Sequence, residues 1–383
     1  MQQSMRPFKA FYFFIYVALA FLAPFLTLYY ERLGLDGKQI GILAALPSVI
    51  TFISAPIFGA LADVTQKHKR ILGVSILLVV VGVLIISRVK TFLSLIPGVF
   101  IYAFFFAPAL PIIDRSVLEI LGSKRDQYGK YRLWGAIGWG TMAPFAGMIV
   151  EKQGLNWAFY GSAVFFMVLF LISQQAPILT VNLRAGFWSN LGKLFSSWRV
   201  IVFFVAILMS GMGLAMIHHY LFLYLDYLGA NAVAMGLALT IATISELFIM
   251  YFSDRLLKRW KPRGLILFGL VMISIRLFGY AFASTPGLAL GLQLLHGPTF
   301  ASIWMAGVAY VAEITPPGLG NTAQGMFNGV MMGLGSALGG FLGGFLFQAI
   351  GFSQMFAFTG AAVFIGFLLF GLGCRQNCST EIV

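Results

Sequence analysis

Long apolar runs alternate with short polar breaks along the whole chain, at about 8–30, 40–62, 70–88, 92–113, 130–150 and 155–175, then 199–226, 232–253, 264–283, 286–312, 322–347 and 353–373. Each holds roughly 20 residues, the length an α-helix needs to cross the hydrocarbon core of a bilayer. The pattern predicts an all-α membrane protein with twelve transmembrane helices in two pseudo-symmetric six-helix bundles. The first bundle is expected over residues 1–175, a polar, basic linker with Pro177 and Gly186 over 176–198, and the second bundle with a short tail over 199–383. The two sets also repeat in sequence. Leu28-Tyr-Tyr-Glu31-Arg-Leu-Gly34 recurs as Leu223-Tyr-Leu-Asp226-Tyr-Leu-Gly229, and Gly41 as Gly236, all at one offset of 195. In the eleventh run Gly325, Gly329, Gly333, Gly335, Gly339, Gly340, Gly343 and Gly344 have the spacing of a face along which helix backbones approach closely.

Composition narrows the class. With 60% hydrophobic and 10% charged residues, a chain of 383 has too little polar surface to cover a soluble globule. The net charge of +13 would suit a nucleic-acid partner, but Lys and Arg lie in the short breaks between runs, as in the cytoplasmic loops of a membrane protein. With the N-terminus inside, the inner segments hold 18 Lys and Arg and the outer loops five, Arg32, Lys38, Arg88, Lys90 and Lys152. Both termini are therefore expected in the cytoplasm, with the chain a multi-pass protein of a bacterial inner membrane. The basic start leads into a run too long for a signal-peptide core, so no removal is expected. Cys374 and Cys378 sit in the tail, where two unpaired thiols are the simplest reading. No metal or cofactor is expected, and no nucleophile-elbow or His-Glu-x-x-His pattern supports an enzyme.

Three runs each carry an ionisable residue near mid-span: Glu246, Arg276 and His296. A charge at that depth is costly, so it normally faces the bundle interior, pairs, and marks an ion or substrate path. An acid, a fixed cation and a residue titrating near neutrality are the parts of a proton-coupled switch. A structural Glu–Arg bridge beside a neutral histidine is the competing reading. His218 and His219 are adjacent on one run, so at most one can face a central cavity, and a packing or interfacial role is assigned to them.

The segment Gly59-Ala-Leu-Ala-Asp63-Val-Thr-Gln-Lys67-His-Lys-Arg70 resembles the signature loop of the major facilitator superfamily, with Gln66 in place of a glycine and Lys67 in place of an arginine. The resemblance implies a gate in which Gly59 permits close helix contact, Asp63 caps a neighbouring helix, and Lys67 and Arg70 supply the basic cluster. Asp254-Arg-Leu-Leu-Lys258-Arg259 is a weaker counterpart in the second half.

Tyr128-Gly-Lys-Tyr-Arg132-Leu-Trp-Gly135-Ala-Ile-Gly138-Trp139 resembles the fifth span of the lactose-permease-type sugar–proton symporters and of the phenylpropionate permeases. In that family the matching arginine clamps sugar hydroxyls, the matching tryptophan stacks on the sugar, and an acid eighteen residues earlier, here Asp114, completes the site. A guanidinium fork and an aromatic platform suit a ring that carries hydroxyls or a carboxylate. A plain Asp114–Arg132 ion pair competes with that reading. Tyr12 and Tyr16, whose hydroxyls need partners, join the expected substrate site.

Ser274-Ile-Arg276 and Leu294-Leu-His296 resemble the coupling elements of the same symporters, and Glu246 their eighth-span acid. Thr299 stands where the family carries an acid, and Gln293, assigned here to the substrate site, where it carries a lysine. Glu246 or Asp114 is then left to carry the proton. The resemblance implies proton-coupled symport of a small ring-containing solute (a sugar, a nucleoside or an aromatic acid) by a monomer working through alternating access. A drug–proton antiporter is the alternative within transporters, although Trp139 and Ala143 occupy two glycine positions of the antiporter motif. A non-transporting receptor is the alternative outside that class.

Overall fold

The computed structural model describes residues 5–178, 198–315 and 320–373, with every side chain except those of Asp63, Ser123, Arg125, Asp126 and Asn321. Most of the expected linker, together with Cys374 and Cys378, lies outside the described residues. All regular structure within them is helical. In chain order the helical runs are α1 (Arg6–Arg32), α2 (Gly37–Thr65), α3 (His68–Arg88), α4 (Phe92–Leu121), α5 (Tyr128–Gln153), α6 (Asn156–Gln175), α7 (Trp198–Tyr227), α8 (Ala232–Tyr251), α9 (Ser253–Phe282), α10 (286–314) and α11 (Thr322–Gly373). Among the described residues ten of these are long and apolar enough to cross a membrane. The exception is α10, which changes from α-helix (Pro286–Gly291) through 3-10 (Leu292–Leu295) and π (Gly297–Ala301) geometry back to α-helix (Ser302–Ile314). At the other extreme, α11 is 52 residues long and breaks at Gly351, whose φ of 78° and ψ of 173° suit only glycine, so its arms, 322–350 and 352–373, run in different directions.

Two boundaries differ from the apolar pattern. α4 continues to Leu121, eight residues beyond the end of its apolar run, so Asp114 lies within a helix and not at its end. Its last turns are amphipathic, burying Ile112, Ile113, Ser116 and Val117, while hydropathy alone stops at the first charge. α9 begins at Ser253, ahead of its apolar run, and is bent at Lys261 before Pro262.

The 195-residue repeat extends from sequence to contacts. The Tyr29 hydroxyl donates to the carbonyls of Ile86 (3.1 Å) and Val89 (3.4 Å) at the end of α3, and the Tyr224 hydroxyl donates to those of Tyr280 (2.7 Å) and Ala283 (2.9 Å) at the end of α9. Asp36 caps α2 through the Gln39 N–H, and Asn231 caps α8 through the Ala234 N–H. These helix starts are also bound from across the molecule: the Lys38 N–H donates to Gln348 Oε1 at 2.9 Å, and the Ala232 N–H donates to Glu151 Oε2 at 2.7 Å. Each cap satisfies donors that a helix start leaves free.

The chain also breaks at equivalent points. Gln66 ends α2 with φ 55° and Lys261 bends α9 with φ 56°, both non-glycine residues at positive φ. The family loop has glycine where Gln66 stands, and the backbone supplies the reason: a Cβ in the left-handed region costs about 1–2 kcal/mol. Gln66→Gly is therefore expected to stabilise the fold by about 1 kcal/mol, less the entropy that glycine adds to the unfolded chain. A rise of the melting midpoint of the detergent-solubilised protein checks this; a fall shows that the Gln66 side chain contributes more than its strain costs.

Around the loops at 33–36 and 228–231 the first and second halves of the chain close on each other. α2 meets α11 so tightly that a Cβ on Gly344 would lie 2.2 Å from Gly37 O, and one on Gly41 would lie 2.7 Å from Phe341 O. α5 meets α8 in the same way, a Cβ on Gly236 falling 2.3 Å from Ala143 O and one on Gly147 falling 2.2 Å from Ala232 O. The glycine face of α11 is thus a packing face, as its spacing predicts: Gly335 abuts Gly211, Gly339 abuts Met212, and Gly343 abuts Tyr220. Arg32 adds a bridge to Asp226, donating to both carboxylate oxygens at 2.8 Å beside a cavity of about 510 Å³.

Candidate functional site: the central polar cluster

The first half of the site is built where α1 lies on α5. Gly135 and Gly138, one turn apart, leave room for α1: a Cβ on Gly138 would stand 2.4 Å from Phe13 O, and one on Gly135 2.6 Å from the Tyr16 ring. That closeness brings Tyr12 and Tyr16 over Arg132, whose guanidinium carbon lies 5.6 and 5.2 Å from their ring centres. The Tyr12 hydroxyl, on a fully buried side chain, donates to Asp114 Oδ1 at 2.5 Å. Tyr128 lies within electrostatic range of both Asp114 and Arg132. Asp114 and Arg132 are therefore joined through tyrosines, and Arg132 Nη1 is buried with no hydrogen-bond partner. An unpartnered guanidinium N–H beside two aromatic rings is an open donor for a ligand oxygen.

Trp139, two turns along α5, lies against His218 of α7, ring centres 6.1 Å apart and planes at 23°. His218 is exposed in mid-helix and stands within electrostatic range of His296. His219 turns the other way. Its Nε2 meets Ser336 Oγ at 3.2 Å, Ser336 meets Ser48 Oγ at 2.9 Å, and its carbonyl accepts from Thr27 at 2.6 Å. The adjacent pair thus divides as the helix geometry requires, and the stacking of His218 on Trp139 is the packing or interfacial role that the sequence implies, here beside a residue of the expected substrate site. The signal of His218 in the sequence is a polar ring in mid-span, and its neighbour carries the same one.

The second half of the site is organised by Arg276, which is 1% exposed. Three side chains of α10 receive it: Gln293 Oε1 from Nη2 at 2.7 Å, His296 Nδ1 from Nη1 at 3.2 Å, and Thr299 Oγ1 from Nη1 at 3.1 Å. They stand three residues apart, on one side of the helix. Arginine has no acceptor, so Nδ1 of His296 must present its lone pair, and the ring proton sits on Nε2. Nε2 points to Glu246 Oε2 at 3.7 Å, too long for a direct hydrogen bond and short enough for an ion pair if the ring is charged. Among the described residues no carboxylate pairs directly with Arg276, so Glu246 compensates it through His296. The competing sequence reading, a direct Glu–Arg bridge, is not what the helices build. Tyr16 lies within electrostatic range of Arg132 and Asp114 in its own half and of Glu246 in the other.

One position differs from its sequence reading, and a second shows what replaces the family acid. The Gln293 amide, 1% exposed, is used twice inside the protein, accepting from Arg276 and donating to the Tyr280 hydroxyl at 2.7 Å, so here it supports Arg276 and does not face a solute. Thr299 puts a hydroxyl where the resemblance puts an acid. It accepts from Arg276 and donates to Leu295 O at 2.8 Å. Of the gating residues, Gly59 lies near the end of α2, Lys67 and Arg70 are exposed at the start of α3, and the Asp63 side chain lies outside the described residues.

Known proteins are similar to this chain over nearly its full length. The MFS_1 like family matches residues 5–358. The uncharacterized transporter YwbF of Bacillus subtilis is 25% identical over 94% of this chain and 90% of its own. The maltose permease of Geobacillus stearothermophilus is 22% identical over 97% and 94%. The crystal structure of the nucleoside transporter NupG superposes with a TM-score of 0.84, at 18% identity, over 97% of this chain and 98% of that one. Fold, family match and relatives agree: the chain belongs to the MFS_1 like family of the major facilitator superfamily, and is a multi-pass membrane transporter and not an enzyme.

Proposed function

We propose that the protein is a proton-coupled symporter for a small organic solute bearing a ring: a sugar, a nucleoside or an aromatic acid. The observation that carries this reading is the contact series Glu246–His296–Arg276, a carboxylate and a fixed cation on opposite sides of one histidine ring. In the first half of the chain Arg132, Asp114, Tyr12, Tyr16 and Trp139 offer a donor fork, an acceptor and aromatic faces, and Trp139 meets His218 of the second half. Maltose and nucleoside carriers among the similar proteins support the solute class.

Twelve spans in two six-helix bundles, 1–175 and 199–383, fit the run 286–314, the break at Gly351 and the repeated tyrosine and helix caps. The excess of Lys and Arg in alternate loops supports cytoplasmic termini in a bacterial inner membrane. On that orientation the closed end, at 33–36 and 228–231, faces out, and alternating access requires its glycine contacts to part while the Gly59–Arg70 segment closes the inner end. The proton is the coupling ion and the monomer the working unit.

The test is uptake of radiolabelled maltose, uridine and 3-phenylpropionate into proteoliposomes with and without an imposed pH gradient. A gradient of one unit supports about a tenfold accumulation for one proton per solute. Transport that ignores the gradient makes the protein a uniporter; uptake driven by a gradient of opposite sign makes it an antiporter.

Arg132→Lys separates ligand contact from a structural charge. The ammonium keeps the charge but loses the fork, and a hydrogen bond to a charged group is worth about 1.5–3 kcal/mol, so affinity should fall at least about tenfold. Binding is read by isothermal calorimetry with the transported compound, and unchanged affinity removes Arg132 from the site.

A further inference from the structure

The irregular turn of α10 has a specific cause. Pro298 has no N–H, so the carbonyl four residues earlier, that of Leu294, loses its helical donor. The ladder is displaced on both sides, 3-10 over Leu292–Leu295 and π over Gly297–Ala301, and His296 lies at the junction. A side chain from another helix fills the gap. Ser245 of α8 donates its hydroxyl to Leu294 O at 2.5 Å and accepts the Gly297 N–H at 3.0 Å. Gly297 makes the approach possible, since a Cβ there would lie 2.1 Å from Ser245 O. The neighbours Ile244, Phe248 and Leu294 are 61%, 62% and 60% exposed, so this edge lies against lipid, where no water replaces a lost partner.

We propose that Ser245 is a positioning residue for the coupling site. It holds the turn that sets His296 between Arg276 and Glu246, and it ties that turn to the stretch of α8 that carries Glu246. Movement of Glu246 on a change of charge is thereby passed to the backbone around His296. The inference rests on the reading of the Glu246–His296–Arg276 series as the coupling site, but its geometry can be tested apart from transport.

The test compares Ser245→Ala, which strands both backbone groups, with Ser245→Thr, which restores the hydroxyl. The first readout is the ring ¹⁵N resonances of His296 in histidine-labelled protein, assigned among the four histidines by loss of signal in His296→Gln. Wild type is expected to show an unprotonated Nδ1 and a protonated Nε2. Ser245→Ala should move or split these resonances, and Ser245→Thr should restore them. The second readout is proton-driven uptake of maltose, uridine and 3-phenylpropionate as a function of pH. Its profile should shift in Ser245→Ala, with accumulation reduced about tenfold or more, as expected when a reacting group is displaced by a fraction of an ångström to an ångström. Unchanged His296 resonances in Ser245→Ala overturn the inference whatever the transport result. Shifted resonances in a protein whose wild-type uptake ignores pH uphold the positioning role and overturn the coupling reading instead.

Discussion

Glu246→Gln is expected to abolish uphill accumulation while leaving exchange of solute across the membrane intact. The substitution keeps the shape of the side chain and fixes it in a neutral state, the state that a bound proton would give. Exchange carries one solute in as another leaves and requires no proton release, so a permanently neutral side chain permits it. Net accumulation requires the carboxylate to lose its proton on the far side, which the amide cannot do. The contacts of its histidine neighbour agree with placing the proton on a carboxylate. Nδ1 of His296 already accepts from Arg276 at 3.2 Å, and a second ring proton would remove that acceptor and set two cations against each other. With one pH unit imposed, wild type should concentrate solute about tenfold and Glu246→Gln not at all. Accumulation by Glu246→Gln would move the proton to Asp114, the carboxylate that Tyr12 holds in the other half of the site.

The parts of this architecture that depend on one chain position at a time were legible in the sequence, and the parts that depend on a facing helix were not. Apolar runs marked the spans because crossing a bilayer is a demand on length and composition. The 195-residue repeat marked Tyr29 and Tyr224 before their shared role as caps on α3 and α9 was visible. Glu246, Arg276 and His296 were conspicuous because a charge in mid-span is rare. Their order was hidden: which of the three stands in the middle depends on how α8, α9 and α10 are rotated. Gln293 shows the same limit. One turn from His296, it reads in the sequence as a solute contact, and only the presence of Arg276 and Tyr280 on α9 reveals that its amide is already used. Ser245 carried a signal of another kind, since the missing N–H of Pro298 announces an orphaned carbonyl at Leu294, but not which helix supplies the donor. Gln66 departs from the family loop in the sequence, and the meaning of that departure lies in its positive φ.

The closed end of the molecule leads to the second large expected effect, because its strength can be apportioned. Arg32 and Asp226 form a well-aligned bridge, yet their side chains are 59% and 28% exposed, and a pair in that setting contributes at most about 1 kcal/mol. Closure must therefore rest mainly on backbone contact between α2 and α11 and between α5 and α8. Gly344→Val should break it. A Cβ at 344 would lie 2.2 Å from Gly37 O and 2.6 Å from Gly41 Cα, and both are backbone atoms that no rotamer change can move. The helices must part, and overpacking of this kind costs about 1–3 kcal/mol, enough to shift a balanced pair of states by about five- to 150-fold. Transport should fall accordingly, while the protein remains folded in the state in which this end is open. A cysteine at Met235, buried beside the cavity at this end, reports the change in a chain whose Cys374 and Cys378 have been replaced by serine. Maleimide should label Met235→Cys slowly in the wild-type background and many times faster with Gly344→Val. Gly287→Val is the matched control, since a Cβ there has nothing within 4 Å, and it should leave both labelling and transport unchanged. Lost transport with unchanged labelling would mean that the α2–α11 contact is not what opens and closes.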